Sequence, residues 1–401
     1  MKQKTGLYLF IIMTVVIGCS SDKQSSDSLP FIDVTKDYPE KEFVLTDIAD
    51  VTYLHLDTEN IDFTYKSFFV GSINSFTKST IVVHDTYSGS VLFFSRDGIP
   101  KSRFNRKGQG AEEYNVFANI LLYDETMDEV YIFSMHSDFI QVYSSSGEHR
   151  RKLILPQSVN LSQMIFFDEQ SLLVYDDKSF LNMTKKFTGE EHTFKNDSTF
   201  ILISKTDGEI LDYIEMASGT IDVAETYMIN RITSERISAS RTVERMIKCT
   251  GGLLLCNPEN DTIFFFGKDK LLTPVMHKTP LISNSKIVLE NYIDFGQYQL
   301  LSIFQINHND KKYTYIREKK TGEIYRPKVI TPDYKEKEFL FDINNKRFHE
   351  NEYYFELDLI ELKQAYRENK LGGKLKELVA TLDEDEDNNV FMFVKFRSDD
   401  F

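Results

Sequence analysis

A strand-and-turn unit recurs six times along the chain. Each copy is an apolar, aromatic strand, and in five copies a polar turn holding Gly or Asp follows it. The strands begin at Val91, Ile140, Phe200, Thr262, Tyr313 and Val390. Their spacing is roughly 50 to 75 residues, and the last copy has no turn after it. A strand repeat of this length is typical of β-propeller blades and not of helical solenoids.

Six units fill the chain, so the predicted fold is all-β, a six-bladed β-propeller with a short helical insertion near the C-terminus. At four strands per blade, the ring closes only if the two ends of the chain share a blade. We therefore expect residues 51–56 to complete the sheet that ends at Phe396. A pair of β-sandwiches is the alternative, which the evenly placed turns and the lack of a linker disfavour.

The N-terminus has the pattern of a bacterial lipoprotein signal. Two lysines precede an apolar run at residues 7–17, and Cys19 follows closely. This run is shorter than the ~20 residues that span a bilayer. Residues 1–18 are thus predicted to be a signal peptide, with Cys19 lipidated and the protein exported and anchored to the cell envelope, at the outer membrane. Ile17 departs from the pattern, so an ordinary signal peptide or a start-transfer anchor stays open, as does the periplasmic or surface-facing side.

The rest of the chain divides into two parts. Residues 19–41 are rich in Ser and Asp with little apolar periodicity, which predicts a flexible tether. Residues 42–401 show no interdomain linker and are expected to form the propeller.

Charge excludes one class of partner. Removal of residues 1–18 would take two lysines and leave 45 basic against 62 acidic residues, a formal charge of −17. Phosphate binding needs a basic stripe, and the sequence has no run of Lys and Arg interleaved with aromatics. We therefore expect no nucleic-acid partner.

Two cysteines remain after lipidation, Cys249 and Cys256. An oxidising compartment favours a disulfide between such a pair. Residues 250–252, Thr-Gly-Gly, look like a tight hairpin turn that would set the two cysteines apart in register, whereas a disulfide needs Cα atoms within about 7 Å. The prediction is two buried thiols.

One segment has helical periodicity. Leucines at residues 357–382 recur every three to four positions, and Gly372 and Gly373 divide the segment into two short helices. We expect them to pack on the propeller in or before the last blade. A helix that binds a partner is the alternative.

The strongest motif lies at residues 104–114, after the first repeat's turn. Here the chain resembles the six-bladed β-propeller lipoproteins common in gut bacteria, a family with NHL-like blades. The family carries an aromatic, a basic residue, two spaced glycines, an acidic residue and a closing aromatic in this connection. The matching residues are Phe104, Arg106, Gly108, Gly110, Glu113 and Tyr114. Ala111 stands where the family usually has proline.

The motif has two interpretations. The two glycines would permit positive φ and close backbone approach at a blade-to-blade crossing, which is a structural role. Alternatively, Arg106, Lys107, Glu113 and Tyr114 bind a ligand at the central channel, where propellers commonly bind. Phosphate cradling is disfavoured, because no Ser or Thr follows the last glycine at the required offset.

Signals for catalysis are sparse. The sequence has neither a Gly-x-Ser-x-Gly elbow nor a His-Glu-x-x-His pair. His84 and His136 follow strands in successive blades and are the candidate metal ligands. No cofactor is predicted, although a divalent metal stays open.

Three functions remain at this point. The favoured one is a lipid-anchored binding module for a glycan, peptide or protein partner, which predicts exposed aromatics. A hydrolase or lyase with a metal or acidic site on the propeller axis, as some NHL-like propellers have, predicts converging side chains there. A scaffold in an envelope complex predicts an apolar patch. Propeller architecture alone cannot decide between them.

Overall fold

The computed structural model describes residues 29–57, 61–65, 73–115, 118–134, 137–157, 159–177, 199–216, 228–229, 236–238, 245–256, 260–281, 287–305, 312–339, 347–349, 352–384 and 387–397. Within these residues the strands form six propeller blades and one separate two-stranded sheet. None of the described helices is long and apolar enough to cross a membrane.

The elements follow in chain order. The N-terminal part contains β1 (Phe31–Asp33), β2 (Glu40–Val44), α1 (Leu45–Ile48), β3 (Ala49–His55) and a 3-10 turn (Ile61–Phe63). Blade 1 contains β4 (Ile73–Phe76), β5 (Thr80–His84), β6 (Val91–Ser95) and β7 (Pro100–Phe104). Blade 2 contains β8 (Ala118–Asp124), β9 (Glu129–Ser134), β10 (Phe139–Tyr143) and β11 (His149–Ile154). Blade 3 contains β12 (Leu161–Phe166), β13 (Ser171–Asp176), β14 (Thr199–Ser204) and β15 (Ile210–Ile214).

The second half has additional elements. A separate hairpin is formed by β16 (Met228–Ile229) and β17 (Arg236–Ser238). Blade 4 contains β18 (Met246–Cys249), β19 (Gly252–Cys256), β20 (Thr262–Gly267) and β21 (Leu272–Thr279). Blade 5 contains β22 (Ile287–Phe295), β23 (Tyr298–Gln305), β24 (Lys312–Glu318) and β25 (Ile324–Thr331), with β26 (Tyr334–Glu338) paired to β25. Blade 6 contains β27 (Arg347–His349), β28 (Glu352–Leu357), α2 (Leu359–Arg367), α3 (Gly373–Thr381) and β29 (Val390–Phe396).

The predicted repeat is confirmed as the third strand of each blade. These strands are β6, β10, β14, β20, β24 and β29. The turn after each of the first five leads to the outer strand of the same blade. First strands of neighbouring blades contact one another, as β4 does with β8 and β27. The first strands therefore surround the axis, and the fourth strands form the rim.

Ring closure is also confirmed. Strand β3 pairs antiparallel with β29, from Ala49 opposite Phe396 to His55 opposite Val390. The last blade thus takes its outer strand from the N-terminal part of the chain. This explains why the sixth copy of the repeat has no turn after its strand.

Part of the segment predicted to be a tether belongs to the folded ring. Strand β1 pairs in parallel with β21 at the edge of blade 4, and β2 does the same with β25 at the edge of blade 5. Residues 31–48 therefore cover two successive rims before β3 closes the third, and we name them the N-terminal belt. The tether prediction is wrong for residues 31–33 and 40–41, whereas residues 19–28 and the lipidation site Cys19 lie outside the described residues.

The apolar core is divided unequally. Separate clusters of buried side chains fill the interfaces between blades 6 and 1, 1 and 2, 2 and 3, and 3 and 4. One larger cluster runs through blades 4, 5 and 6 and takes in the belt and both C-terminal helices. Ile32, Phe43 and Leu45 are the buried side chains of the belt.

The helical insertion is confirmed and lies between β28 and β29. The Asp358 side chain caps α2 by accepting a hydrogen bond from the Glu361 N–H at 2.9 Å. Leu362 and Leu375 are fully buried, so the two helices turn an apolar face to the ring. Self-packing therefore accounts for the leucine periodicity.

The two cysteines lie on the hairpin of blade 4. Cys249 is opposite Gly252, while Cys256 pairs with Ile263 on the next strand. Both are buried and they form no disulfide, as predicted. The Cys256 thiol donates to the Leu289 carbonyl at 3.3 Å.

Candidate functional site

The motif forms the connection from the rim of blade 1 to the first strand of blade 2. We name residues 105–115 the connector loop. Its flanking aromatics, Phe104 and Tyr114, are buried in the cluster between the two blades, where both contact the ring of Tyr143. The loop is therefore held between the two blades, while residues 105, 106 and 109–112 are exposed to solvent.

Tyr114 is the buried anchor of the loop. Its hydroxyl donates to the Gly89 carbonyl at 2.5 Å and accepts from the Arg106 N–H at 3.1 Å. Burial raises the pKa of this phenol to about 12. The side chain is thus a neutral, satisfied group that ties the loop to a turn of blade 1.

The two motif glycines make room for a carboxylate. A Cβ on Gly108 would lie 1.9 Å from Glu113 Oε2, and the same oxygen accepts the Gly110 N–H at 2.7 Å. The prediction of close approach is confirmed at Gly108. The prediction of positive φ is wrong for both, since neither glycine is among the residues with a left-handed backbone.

Backbone hydrogen bonds close the loop on itself. The Gly108 N–H donates to the Tyr114 carbonyl at 3.0 Å, and the Tyr114 N–H donates to the Arg106 carbonyl at 3.1 Å. The Glu113 N–H donates to the Gly110 carbonyl at 3.1 Å. Most of the amides in this turn are therefore satisfied without a ligand.

Blade 2 holds the loop from the other side. The Gln141 amide donates to the carbonyls of Ala111 and Glu113, at 3.0 and 3.2 Å. Its oxygen lies 2.9 Å from His149 Nε2, so His149 is the donor in this pair. The Tyr143 hydroxyl donates to the Glu112 carbonyl at 2.9 Å.

The basic residues of the motif reach neighbouring turns. Arg106 Nε donates to the Gly147 carbonyl of blade 2 at 2.9 Å. Lys107 Nζ donates to the Tyr87 carbonyl of blade 1 at 3.1 Å. Within the described part of the chain, Arg106 and Glu113 form no ion pair with each other.

Several polar side chains and one aromatic ring face solvent here. Tyr87, on the turn between β5 and β6, is 65% exposed. The partly exposed Lys107 donates to the Tyr87 carbonyl, and Arg106, Gln109 and Glu112 are exposed on the same connector loop. We name these five residues the loop surface. Its side chains are exposed while the backbone beneath them is fixed by hydrogen bonds, which suits a recognition surface.

The metal candidates are not brought together. His84 is buried, and its ring centroid is 6.1 Å from that of Tyr114. The backbone N–H of His84 donates to Asn74 Oδ1 at 2.8 Å. His136 lies outside the described residues. Among the described residues, no three His, Cys, Asp or Glu side chains form a cluster that could hold a metal ion.

A second polar cluster lies between blades 3 and 4. Arg245 is fully buried, with its guanidinium carbon 4.3 Å from the centroid of the Tyr175 ring. The backbone N–H of Arg245 donates to Gln163 Oε1 at 2.9 Å. Asp176 and Asp177, both buried, lie at the end of β13, which pairs with the strand of Gln163. Sequence reasoning missed this group, because Arg245 and the aspartates are about seventy residues apart and carry no motif.

Comparison with known proteins identifies the fold. The DUF5128 family, described as a six-bladed β-propeller, matches residues 20–353. A Bacteroides fragilis protein described as exported is similar in structure, with a TM-score of 0.61 at 15% identity over 92% of this chain and all of the other.

Two further structures are less similar. A DUF4221 family member from Bacteroides vulgatus has a TM-score of 0.44 at 11% identity, covering 87% of this chain and 97% of its own. A streptogramin B lyase has a TM-score of 0.35 at 10% identity, covering 67% and 73%. No protein with a curated description matches the sequence.

Proposed function

Because the chain belongs to the DUF5128 family of six-bladed β-propellers, we propose that it is a binding module of the cell envelope, anchored through a lipid on Cys19. The loop surface between blades 1 and 2 takes a glycan, peptide or protein partner. The observation that carries this proposal is the connector loop, whose backbone is fixed by buried Tyr114 while its side chains stay exposed. A surface that is already ordered loses less entropy when it binds.

Export and anchoring have two supports. The first nineteen residues have the pattern of a lipoprotein signal. The similar Bacteroides fragilis protein is described as exported. We propose that the protein is located at the outer membrane.

The loop surface suggests the chemistry of its partner. Tyr87 offers an aromatic face that covers apolar area at little entropic cost. Arg106 and Lys107 carry two positive charges on the connector loop, and Glu112 and Glu113 carry two negative charges there. A glycan or peptide fits this combination, because its apolar face can pack on the Tyr87 ring while the charged side chains of the loop bind its polar groups.

A binding screen with two tyrosine variants tests the proposal. Residues 20–401 would be screened against glycans and peptides, acidic and neutral, by thermal shift and then by calorimetry. A ligand at a hundredfold excess over its Kd adds about 2.7 kcal/mol of stability. Tyr87→Ala should weaken binding at least about tenfold, which is roughly 1.4 kcal/mol.

Tyr213→Ala is the matched control, because Tyr213 on the rim of blade 3 is 56% exposed and distant in sequence from the loop surface. Equal losses in both variants, or unchanged binding in Tyr87→Ala, would contradict the assignment to the loop surface. A melting temperature that falls with chelator and recovers with one metal would instead favour the hydrolase or lyase alternative.

A further inference from the structure

The described part of the chain begins at the rim of blade 4. The His277 N–H of β21 donates to the Pro30 carbonyl at 3.0 Å, and β1 continues in parallel along the same strand. Cys19 is eleven residues before Pro30. Whatever its conformation, a segment of eleven residues cannot span more than about 40 Å.

This reach makes blade 4 the part of the ring nearest to a lipid on Cys19. A domain of this size has a radius of gyration of about 21 Å, so opposite rims are about 50 Å apart. Blade 1, which carries one side of the loop surface, lies across the ring from blade 4 in a six-membered circle. An anchored molecule therefore presents these two rims to different surroundings.

The rim of blade 4 carries exposed apolar side chains along its length. Leu271 immediately precedes β21 and is 63% exposed, and Leu281 follows the strand by two residues. Phe31 on β1 lies between them, opposite His277, and is also exposed. Single exposed apolar residues are ordinary, but three along the strand pair where the chain enters the fold define an apolar rim.

Two exposed lysines lie at one end of this rim. Lys268 and Lys270 are exposed on the turn beside Leu271. Asp269, between them, accepts the Leu271 N–H at 3.1 Å, and Asp168 of blade 3 faces Lys270. Exposed lysines beside an apolar side chain are the combination that binds the boundary of an anionic bilayer.

We propose that the rim of blade 4, formed by Phe31, Leu271, Leu281, Lys268 and Lys270, rests on the lipid headgroups. The ring then stands edge-on, and the loop surface faces away from the membrane. This inference rests on the lipid anchor proposed above. It adds a second membrane contact to the lipid, and two contacts are what stable anchoring usually needs.

Site-directed quenching tests this orientation. The full lipidated chain would be reconstituted in vesicles of phosphatidylethanolamine and phosphatidylglycerol that contain a headgroup spin label. Leu271→Cys and Leu281→Cys would each carry an environment-sensitive fluorophore. Ile99→Cys is the matched control, because Ile99 is 58% exposed and follows the corresponding turn of blade 1.

Quenching should be several-fold stronger at positions 271 and 281 than at position 99. The unsubstituted protein should label weakly, because Cys249 and Cys256 are buried. Lys268→Glu combined with Lys270→Glu should reduce the quenching at position 281. Equal quenching at positions 99 and 271 would overturn the proposal, and so would a label at 271 that is shielded without lipid quenching, which would indicate a protein partner on this rim.

Mass spectrometry of Cys19 distinguishes failure of the proposed lipid anchor from failure of the proposed orientation. An unmodified Cys19 would overturn both the anchor and the orientation. A lipidated Cys19 without preferential quenching would overturn the orientation alone and leave the anchor and the binding proposal intact.

Discussion

Blades 1 to 3 and blades 4 to 6 are held in the ring by different devices. In blades 1, 2 and 3, the turn after the third strand ends in a glycine with positive φ that presses against the preceding blade. A Cβ on Gly98 would lie 2.3 Å from the His55 carbonyl oxygen, and one on Gly208 would lie 2.6 Å from that of Ile154. A Cβ on Gly147 would lie 2.5 Å from the Cβ of Phe104.

Blades 4 and 5 lack this contact. The left-handed position of the blade 4 turn is taken by Lys270, with φ of 61°. Gly322 of blade 5 has φ of 75°, yet an added Cβ would meet only the Arg317 side chain, at 3.6 Å. Here the N-terminal belt covers the rims, and one core runs through three blades.

The two halves of the ring set the spacing between neighbouring blades in different ways. A blade buries its apolar faces only against its neighbours, so every interface needs a device that sets the spacing. Where rims are bare, turn glycines set it by close approach, and the loop surface lies in this half. Where the belt covers the rims, the turns after the third strands make no such contact, and the turn of blade 4 carries Lys270 and Leu271 on its outside. Close approach occurs there at a different turn, since a Cβ on Gly296 between β22 and β23 would lie 2.5 Å from the Arg397 carbonyl oxygen of blade 6.

Loss of a buried belt side chain should have the largest effect. Phe43→Ala removes a ring that packs on Tyr298 and Tyr325, so the free energy of unfolding should fall by about 3–5 kcal/mol. Phe31→Ala, at an exposed belt position, should change it by less than about 0.5 kcal/mol. Urea unfolding measures both, and equal effects would show that the belt is not part of the core.

Substitution of a turn glycine should have the next largest effect on stability, and the loss should be larger in blades 1 to 3 than in blades 4 and 5. Gly98→Ala combines backbone strain with a collision against His55, for a loss of about 2–4 kcal/mol. Gly322→Ala introduces backbone strain without a collision, so the free energy of unfolding should fall by about 1 kcal/mol. The difference in urea midpoint isolates the contact between blades, and equal midpoints would mean that the close approach carries no energy.

Ion pairs offer a third comparison. Lys205 of blade 3 is 7% exposed and lies 2.7 Å from Asp124 of blade 2, whereas Lys328 and Glu42 form an exposed pair in the belt. Lys205→Met should cost about 1–3 kcal/mol and Lys328→Met less than about 0.5 kcal/mol. Unfolding in low and high salt checks this, since only the exposed pair should respond strongly to screening.

The smallest effect should be a pH dependence at the closing strand. Burial lowers the pKa of His55 from 6.5, although the carboxylates of Asp387 and Asp57 act in the opposite direction. The folded state then binds fewer protons than the unfolded state, so stability falls as pH drops through about 6.5.

His55→Gln removes this titration. Between pH 7 and about pH 5.5, the urea midpoint of the parent protein should fall more than that of the variant. A variant with the same pH profile as its parent would show that closure of the ring does not depend on the charge of His55.

The sequence predicts the repeat well, because the third strand is an apolar run buried on both faces in blades 1, 2, 3 and 6. Strand β6, for example, is buried at four of its five positions. The belt escapes prediction because β1 has three residues and β2 has five, too few for a period. Both also pair in parallel with strands more than two hundred residues away.

In the candidate site too, contacts between residues distant in sequence could not be predicted. Residues 104–114 are recognisable as a motif, since the spacing of aromatics and glycines is local. The partners that fix the loop are not, because Gly89, Gln141 and Gly147 belong to three other segments and have no signature of their own. The glycines were correctly linked to close approach, but the group that approaches is the motif's own Glu113.

Hydrogen exchange of the unliganded protein tests most directly whether the connector loop is already built before any partner binds. The amides of Gly108, Gly110, Glu113 and Tyr114 all donate to protein acceptors. We predict that peptides covering residues 105–115 exchange far more slowly than an unstructured chain and approach the protection of β10. Exchange of these amides at the rate of free peptide would contradict the account, because the loop surface would then have no fixed base.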